Sequence, residues 1–360
     1  MDISTTTAFV YVSNADDCNV SAFGLDSTGQ LEPLASYAAG DRAMAMATSP
    51  DQGFLCAVTQ GKAQRLIVWS IDARSGALNS CVNVKAAHRY SHLCFDPTGQ
   101  WLIASSRDDD VVCFYRWADV RNERATPADV FPLKQAQAVA VANDGMHVYV
   151  SSLLTDSVAS YMFDPAVGKF AEAGVYSLPG DFGPRNLRLS PAGSMLYILS
   201  ELSGRIAAYN RDVITGKLSL HVLTGRPAAL AELNDGIVRP HYPEPQPEDS
   251  TLQSIVWAAD LQVTPDGRSV FTTERTSGRL LGYRVGDDAI PIYTGYVDTE
   301  PQPRSICIDP AGRFLVATGE KSAWLTVYAV NNESGCLRRV FRESSGRGAN
   351  WIEMVARRSN

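Results

Sequence analysis

Long hydrophobic runs are missing from this 360-residue sequence. No apolar stretch approaches the roughly 18 residues that a membrane-spanning helix needs. Residues Met1–Thr7 lack the basic start and the apolar stretch of a secretory signal. The sequence therefore predicts a soluble protein that stays in the cytoplasm and has no membrane partner.

Runs of basic residues are missing as well. The formal net charge is -7, and no lysine or arginine run is long enough to follow a phosphate backbone. Nucleic acid is therefore not an expected partner. Because a net negative surface repels anions, an anionic ligand would have to be bound by a local cluster of arginine or lysine.

Motifs for disulfides, metals and nucleotides are also absent. The seven cysteines are odd in number and form no CxxC pair, so free thiols in a reducing compartment are expected. The five histidines show no metal-ligand spacing. No GxSxG elbow or GxGxxG loop occurs. The sequence predicts a site that works without a metal or another cofactor.

What the sequence does contain is a repeated turn. Six turn motifs with a glycine at or near their end separate strand-like apolar runs, at residues 49–53, 96–99, 143–145, 190–193, 264–267 and 309–312. Their glycines are 46, 46, 48, 74 and 45 residues apart, and all but one of these intervals match a four-stranded propeller blade. Each turn is predicted to be a hairpin.

The two ends of the chain complete this pattern. Residues Ala8–Val12 match a second strand of the repeat, and Asn350–Val355 match a first strand. With this shared blade included, the sequence contains about seven blades. The sequence therefore predicts an all-β, seven-bladed β-propeller, a single domain over residues 1–360 whose ring is closed by the C-terminal strand. No amphipathic helix of ten or more residues is expected.

One interval is longer than the others by about 28 residues. The extra segment, about residues 225–252, is rich in proline and lies between the fourth strand of one blade and the first strand of the next. Such a segment is expected to be an irregular loop. It could be a solvated surface loop, or it could overhang the mouth of the central funnel.

The repeat also predicts which residues lie at the same height around the central channel, because positions equally far from each turn lie near the same face. At the face opposite the turns, these positions carry a concentration of charge. They include Arg107, Arg185, Arg275, Arg304, Glu201 and Glu320, with His92, Gln137, Trp257, Asp260 and Lys321 at or near the same level. Arg185 and Glu201 are expected to face each other across an antiparallel strand pair.

Two interpretations fit this ring of charge. It could be a solvated ring of salt bridges at a loop-rich face. Alternatively, because four arginines at one level repel one another, they could form a clamp for a carboxylate or a phosphate, with Glu201 as the best-placed general base.

Three stretches form a more specific combination. They are Gly183–Arg185 with Ser200–Leu202, Trp257–Thr276, and Gln302–Ser322. Together they resemble the seven-bladed propeller lactonases, a family that includes bacterial 6-phosphogluconolactonases and 3-carboxy-cis,cis-muconate lactonizing enzymes of the propeller type. The resemblance covers most of the chain, and it implies that Arg185, Glu201 and Arg275 occupy the family's catalytic positions.

The sequence departs from the family at one position. The family usually has a histidine at the start of the channel strand in the fourth blade, where this chain has Gln137. Glutamine can orient water or a carbonyl group but cannot take up a proton. Glu201 could then act alone as the base, His92 could substitute, or the chain could bind a ligand without catalysis.

These observations lead to an expected function. We expect hydrolysis of a small anionic lactone, from a sugar acid or a phosphosugar, to its hydroxy acid. The substrate would be contacted by Gln137, His92, Arg304, Arg107, Lys321, Trp257 and Asp260. The alternatives are a carboxymuconate-type lactonizing cycloisomerase and a non-catalytic propeller that binds a ligand or a protein. A monomer and a homo-oligomer both remain open.

Overall fold

Twenty-eight strands form seven four-stranded antiparallel sheets in the computed structural model, which describes residues 6–358. Residues 1–5, part of the segment considered above for a signal, lie outside the described residues. In chain order the strands are β1 (Thr6–Asn14), β2 (Asn19–Asp26), β3 (Leu31–Ala38), β4 (Arg42–Thr48), β5 (Phe54–Gln60), β6 (Arg65–Ile71), β7 (Leu78–Lys85), β8 (His92–Phe95), β9 (Trp101–Ser106), β10 (Val111–Arg116), β11 (Asp129–Pro132), β12 (Ala136–Val141), β13 (His147–Ser152), β14 (Ser157–Asp164), β15 (Lys169–Ser177), β16 (Pro184–Leu189), β17 (Met195–Ser200), β18 (Ile206–Arg211), β19 (Leu218–Leu223), β20 (Ala258–Val263), β21 (Ser269–Glu274), β22 (Arg279–Val285), β23 (Pro291–Asp298), β24 (Pro303–Ile308), β25 (Phe314–Gly319), β26 (Trp324–Val330), β27 (Leu337–Ser344) and β28 (Ala349–Ala356).

The sheets follow one another as the blades of a ring. Blade 1 combines β28 with β1–β3, and blades 2 to 7 are β4–β7, β8–β11, β12–β15, β16–β19, β20–β23 and β24–β27. Because β28 pairs with β1 from Ala8↔Ala356 to Asn14↔Ala349, the last strand completes the first blade. The predicted seven-bladed propeller and its closure by the C-terminal strand are confirmed.

Helical structure is confined to short segments within residues 6–358. The helices are α1 (Trp117–Arg121) and α2 (Asp249–Leu252), and a 3₁₀ turn covers Ala228–Leu230. None of these is long and apolar enough to span a bilayer.

The repeated turns have the backbone geometry that their glycines indicate. Five of the turn glycines have φ between 68° and 73°, in the left-handed region that glycine adopts without steric cost. In the first turn Gln52 takes this conformation, with φ 53°, one residue before Gly53. The residue in the left-handed conformation is therefore the glycine in five of the six turns, and the residue before the glycine in the first turn.

Apolar strand residues pack between the blades, and buried tyrosines tie neighbouring blades together. The Tyr11 hydroxyl of blade 1 donates to the carbonyl of Gly76 in blade 2 at 2.9 Å, and Tyr149 of blade 4 donates to Gly216 in blade 5 at 2.7 Å. A buried hydroxyl needs such a partner, because an unpaired polar group in a core is costly. This packing fixes the heights of the strand ends, and therefore the positions of the charged side chains at the funnel.

Candidate active site

The innermost strands share an irregularity where they enter the funnel. The pairing register shifts between Pro184 and Leu187 in blade 5, and between Pro303 and Ser305 in blade 7. Similar shifts occur in blades 2, 4 and 6. A bulge re-aims a side chain out of the regular alternation. Arg185 and Arg304 lie at these bulges, which explains how strand residues at one level reach a common space.

Arg185 and Glu201 form the first ion pair of the site. Nη1 of Arg185 donates to Oε2 of Glu201, and Nε of Arg185 donates to the carbonyl of Ala259 in blade 6 at 2.9 Å. The Glu201 side chain is only 2% exposed. The predicted contact between Arg185 and Glu201 is confirmed, and both groups are held in fixed orientations.

A second carboxylate joins two more of the arginines. Glu320 accepts from Nη1 of Arg304 at 2.5 Å, and its other oxygen lies 3.6 Å from Nη1 of Arg275. Arg275 is buried, with 2% of its side chain exposed. Arg304 and Glu320 are paired within blade 7, as Arg185 and Glu201 are within blade 5.

Arg239 is a site residue that the repeat did not reveal. It belongs to the insertion, and its Nη2 lies 3.4 Å from Oε1 of Glu201. Its guanidinium carbon lies 3.7 Å from the centre of the Trp257 ring, and that of Arg275 lies 4.2 Å from it. Such cation–π contacts are attractive and hold both guanidinium groups against the same indole ring. Because Arg239 lies outside the repeat, counting from the turns could not locate it; an arginine within the proline-rich segment was the only available signal.

The arginines set the ionisation of both carboxylates. Burial alone would raise the pKa of Glu201, but the charges of Arg185 and Arg239 outweigh it and hold the pKa at about 2. Burial is likewise outweighed at Glu320, where Arg304 and Arg275 hold the pKa at about 2. Burial and the neighbouring guanidinium groups lower the pKa of Arg275. Both carboxylates are therefore ionised at neutral pH.

Gln137 and His92 line one cavity together with Arg185 and Arg304. The cavity has a volume of about 40 Å³, and Trp351 and Asp260 also line it. Burial, and to a lesser degree Arg188, lowers the pKa of His92 to about 3, so this imidazole is neutral at physiological pH. A neutral His92 can exchange hydrogen bonds with a ligand, but it supplies no positive charge.

Several buried donors in this cavity and in a neighbouring groove beside Trp257 have no hydrogen-bond partner within residues 6–358. They are Nε and Nη2 of Arg275, Nε1 of Trp257 and Nε2 of Gln137. Unpaired buried donors are rare in folded proteins and call for an explanation. Their convergence with four arginines fits a ligand that is rich in oxygen acceptors.

Two residues expected to contact substrate, Arg107 and Lys321, do not line this cavity. Arg107 donates through Nη1 to the carbonyl of Pro240 at 3.2 Å and through Nη2 to that of Arg239, so its guanidinium anchors the insertion. Lys321 is exposed and lines a neighbouring groove with Arg275 and Trp257. A contact between Lys321 and substrate stays a prediction.

Asp260 lines the cavity, but the protein already uses its carboxylate. It accepts from the Asn186 side chain of blade 5, from the backbone N–H of Leu261 at 2.8 Å, and from the N–H of Ile306 in blade 7 at 2.9 Å. Burial raises the pKa of Asp260. Asp260 therefore links blades 5, 6 and 7, and its contact with substrate stays a prediction.

Comparison with curated proteins finds relatives along almost the whole chain. A 6-phosphogluconolactonase of Cronobacter sakazakii is 25% identical over 351 residues, which cover 96% of this chain and 98% of that protein. A 6-phosphogluconolactonase of Erwinia tasmaniensis is also 25% identical, covering 95% and 97% of the two chains.

Solved structures share the fold. A periplasmic gluconolactonase of Pseudomonas aeruginosa superposes with a TM-score of 0.77 at 19% identity, over 97% of this chain and 99% of that chain. A protein from Lactobacillus plantarum reaches 0.80 at 19% identity, with the same coverage. Because one of these proteins is periplasmic, the cytoplasmic location of this chain stays a prediction. The profile described as "Lactonase, 7-bladed beta-propeller" matches residues 118–228 and 230–354, and the chain therefore belongs to the seven-bladed β-propeller lactonase family.

Proposed function

We propose that this chain hydrolyses the lactone of a sugar acid and that its preferred substrate carries a phosphate group. One observation carries this proposal: within residues 6–358, the ion pairs of the site join four guanidinium groups to two carboxylates, so this network has an excess of about two positive charges beside donors without partners. A phosphate monoester brings close to two negative charges at neutral pH and three acceptor oxygens. The relatives named 6-phosphogluconolactonase support the same substrate class.

The proposed reaction adds water to the lactone carbonyl. Glu201 accepts a proton as the water oxygen bonds to the carbonyl carbon, and the guanidinium groups of Arg185 and Arg275 stabilise the oxyanion that forms. The bond between this carbon and the ring oxygen then breaks. Protonated Glu201 returns its proton to the departing ring oxygen, and the product is the open hydroxy acid.

Gln137 and His92 fit this scheme as groups that orient the substrate. Gln137 has a free Nε2 donor, and both ring nitrogens of His92 lack partners within the described residues. Neither side chain needs to change its charge. Glu201 is therefore the proposed base in place of the family's histidine.

The substrate proposal is tested with a panel of lactones. We expect the purified protein to hydrolyse a phosphorylated aldonolactone with a kcat/KM at least about 10-fold above that of its unphosphorylated counterpart, because charge-assisted hydrogen bonds to the phosphate contribute binding free energy. Proton release and lactone consumption give the rates. Failure to hydrolyse any aldonolactone, or turnover of muconolactones alone, contradicts the proposal.

A further inference from the structure

The insertion, residues 225–252, is anchored where it leaves blade 5. Leu230 is fully buried, in one cluster with Tyr197 of blade 5 and Leu261 of blade 6. The backbone N–H of Gly236 donates to the carbonyl of Leu202 at 2.7 Å. The first half of the insertion therefore packs against blades 5 and 6.

The insertion is also anchored on the other side of the funnel. Arg107 of blade 3 binds the carbonyls of Arg239 and Pro240, and Nε2 of Gln135 in blade 4 donates to the carbonyl of Arg239 at 3.0 Å. Nε2 of His241 lies 2.9 Å from Oδ1 of Asp110. The segment thus crosses the mouth from blade 5 to blades 3 and 4.

These contacts fix Arg239 through its main chain. Arg107 and Gln135 bind the carbonyl oxygen of residue 239 and leave its side chain free of any anchoring role. The guanidinium is 18% exposed and contacts Glu201 and Trp257. Its contact with Glu201, at 3.4 Å, is longer than a charge-assisted hydrogen bond, and the guanidinium donates no other hydrogen bond within residues 6–358. It therefore retains donors for a ligand.

We propose that Arg239 is a specificity-determining residue of the lactone site, which binds the anionic group of the substrate from the insertion and selects substrates with two negative charges. The inference rests on the proposed function. Without Arg239, three guanidinium groups face two carboxylates, and the net charge falls to about one positive. The repeat supplies the reaction centre, and the insertion supplies the additional charge.

The same residue links substrate binding to the strength of the base. The charge of Arg239 helps to lower the pKa of Glu201, and a weakly basic carboxylate accepts a proton poorly. Burial lowers the pKa of Arg239 to about 10, so it is still positively charged at neutral pH. An anion bound to Arg239 offsets this charge and raises the pKa of Glu201. A dianionic substrate thereby makes Glu201 a stronger base when it binds.

The test compares Arg239→Gln with Arg338→Gln, which removes the same charge from an exposed position on the outer strand β27. We expect Arg239→Gln to lower kcat/KM for the phosphorylated aldonolactone by roughly 10- to 100-fold, and for the unphosphorylated lactone by less than about 3-fold. Arg338→Gln should leave kcat/KM unchanged for both lactones. Equal losses on both lactones, or no loss on either, overturn the inference.

Two further readouts separate this role from a structural one. The acid limb of the pH profile of kcat/KM should move to higher pH in Arg239→Gln, because the pKa of Glu201 rises when the positive charge is removed. The melting temperature should stay within a few degrees of wild type, since the anchors bind the main chain.

The two proposals can fail separately. If the wild-type protein hydrolyses no lactone, the proposed function fails. If the wild type is active and Arg239→Gln keeps the same preference and pH profile, only the role of Arg239 fails. Binding gives a measure independent of turnover: the phosphorylated hydroxy acid should raise the melting temperature of wild type more than that of Arg239→Gln. Equal stabilisation of both proteins overturns the inference.

Discussion

Replacement of Glu201 by glutamine is expected to lower kcat by about 10²- to 10⁴-fold, the usual contribution of a general base. Glutamine has nearly the same shape and can still accept a hydrogen bond from Arg185, but it cannot take a proton from water. Glu201 lies beside Arg185 and Arg239, and in our scheme no other side chain accepts the proton. Steady-state hydrolysis of the phosphorylated aldonolactone measures the change.

The matched control is Glu320→Gln, which makes the same change in the second ion pair. Glu320 binds Arg304 and Arg275 and has no proton-transfer role in our scheme. We expect this variant to alter KM more than kcat. An equal loss of kcat in both variants, or full activity of Glu201→Gln, contradicts the assignment of Glu201 as the base.

Replacement of Arg185 by methionine is expected to damage both catalysis and stability. The buried carboxylate of Glu201 loses its direct partner and, within residues 6–358, keeps one ion pair, with Arg239 at 3.4 Å. Breaking a buried ion pair from one side costs about 3 kcal/mol in free energy of unfolding. Loss of a group that stabilises the oxyanion should reduce kcat by about 10²- to 10³-fold.

Two measurements on Arg185 variants separate these effects. Denaturant unfolding gives the stability, and kinetics at a temperature well below the transition gives kcat. Arg185→Lys keeps the charge but loses the planar fork that reaches Glu201 and Ala259 together, so its stability should lie between those of wild type and Arg185→Met. If Arg185→Met keeps wild-type kcat, Arg185 has no part in the reaction.

The sequence predicts the pairs within blades well, for a geometric reason. The turn motif sets a common origin in each repeat, and antiparallel pairing brings the start of a first strand beside the end of the second. Arg185 with Glu201 and Arg304 with Glu320 follow directly from this count. The count gives the height of a residue but not the direction of its side chain, which here depends on bulges that carry no sequence signature.

The contacts of Arg239 and Arg107 could not be predicted in the same way. The insertion has no period, so nothing in the sequence indicates that it crosses to blades 3 and 4. Arg107 has the position of an anion-binding residue in the repeat, yet its guanidinium holds the main chain of the insertion. Asp260 is similar, because backbone donors on neighbouring strands satisfy its carboxylate, and such partners are visible only in three dimensions.

The central claim is that side chains from blades 5, 6 and 7 and from the insertion surround one ligand. A crystal structure of the protein with a phosphorylated aldonic acid, the proposed product, tests it most directly. We predict that the phosphate lies within hydrogen-bond distance of Arg239 or Arg275 and that the new carboxylate lies beside Arg185 and Glu201. Ligand bound at the opposite end of the channel, or touching none of these arginines, contradicts the account.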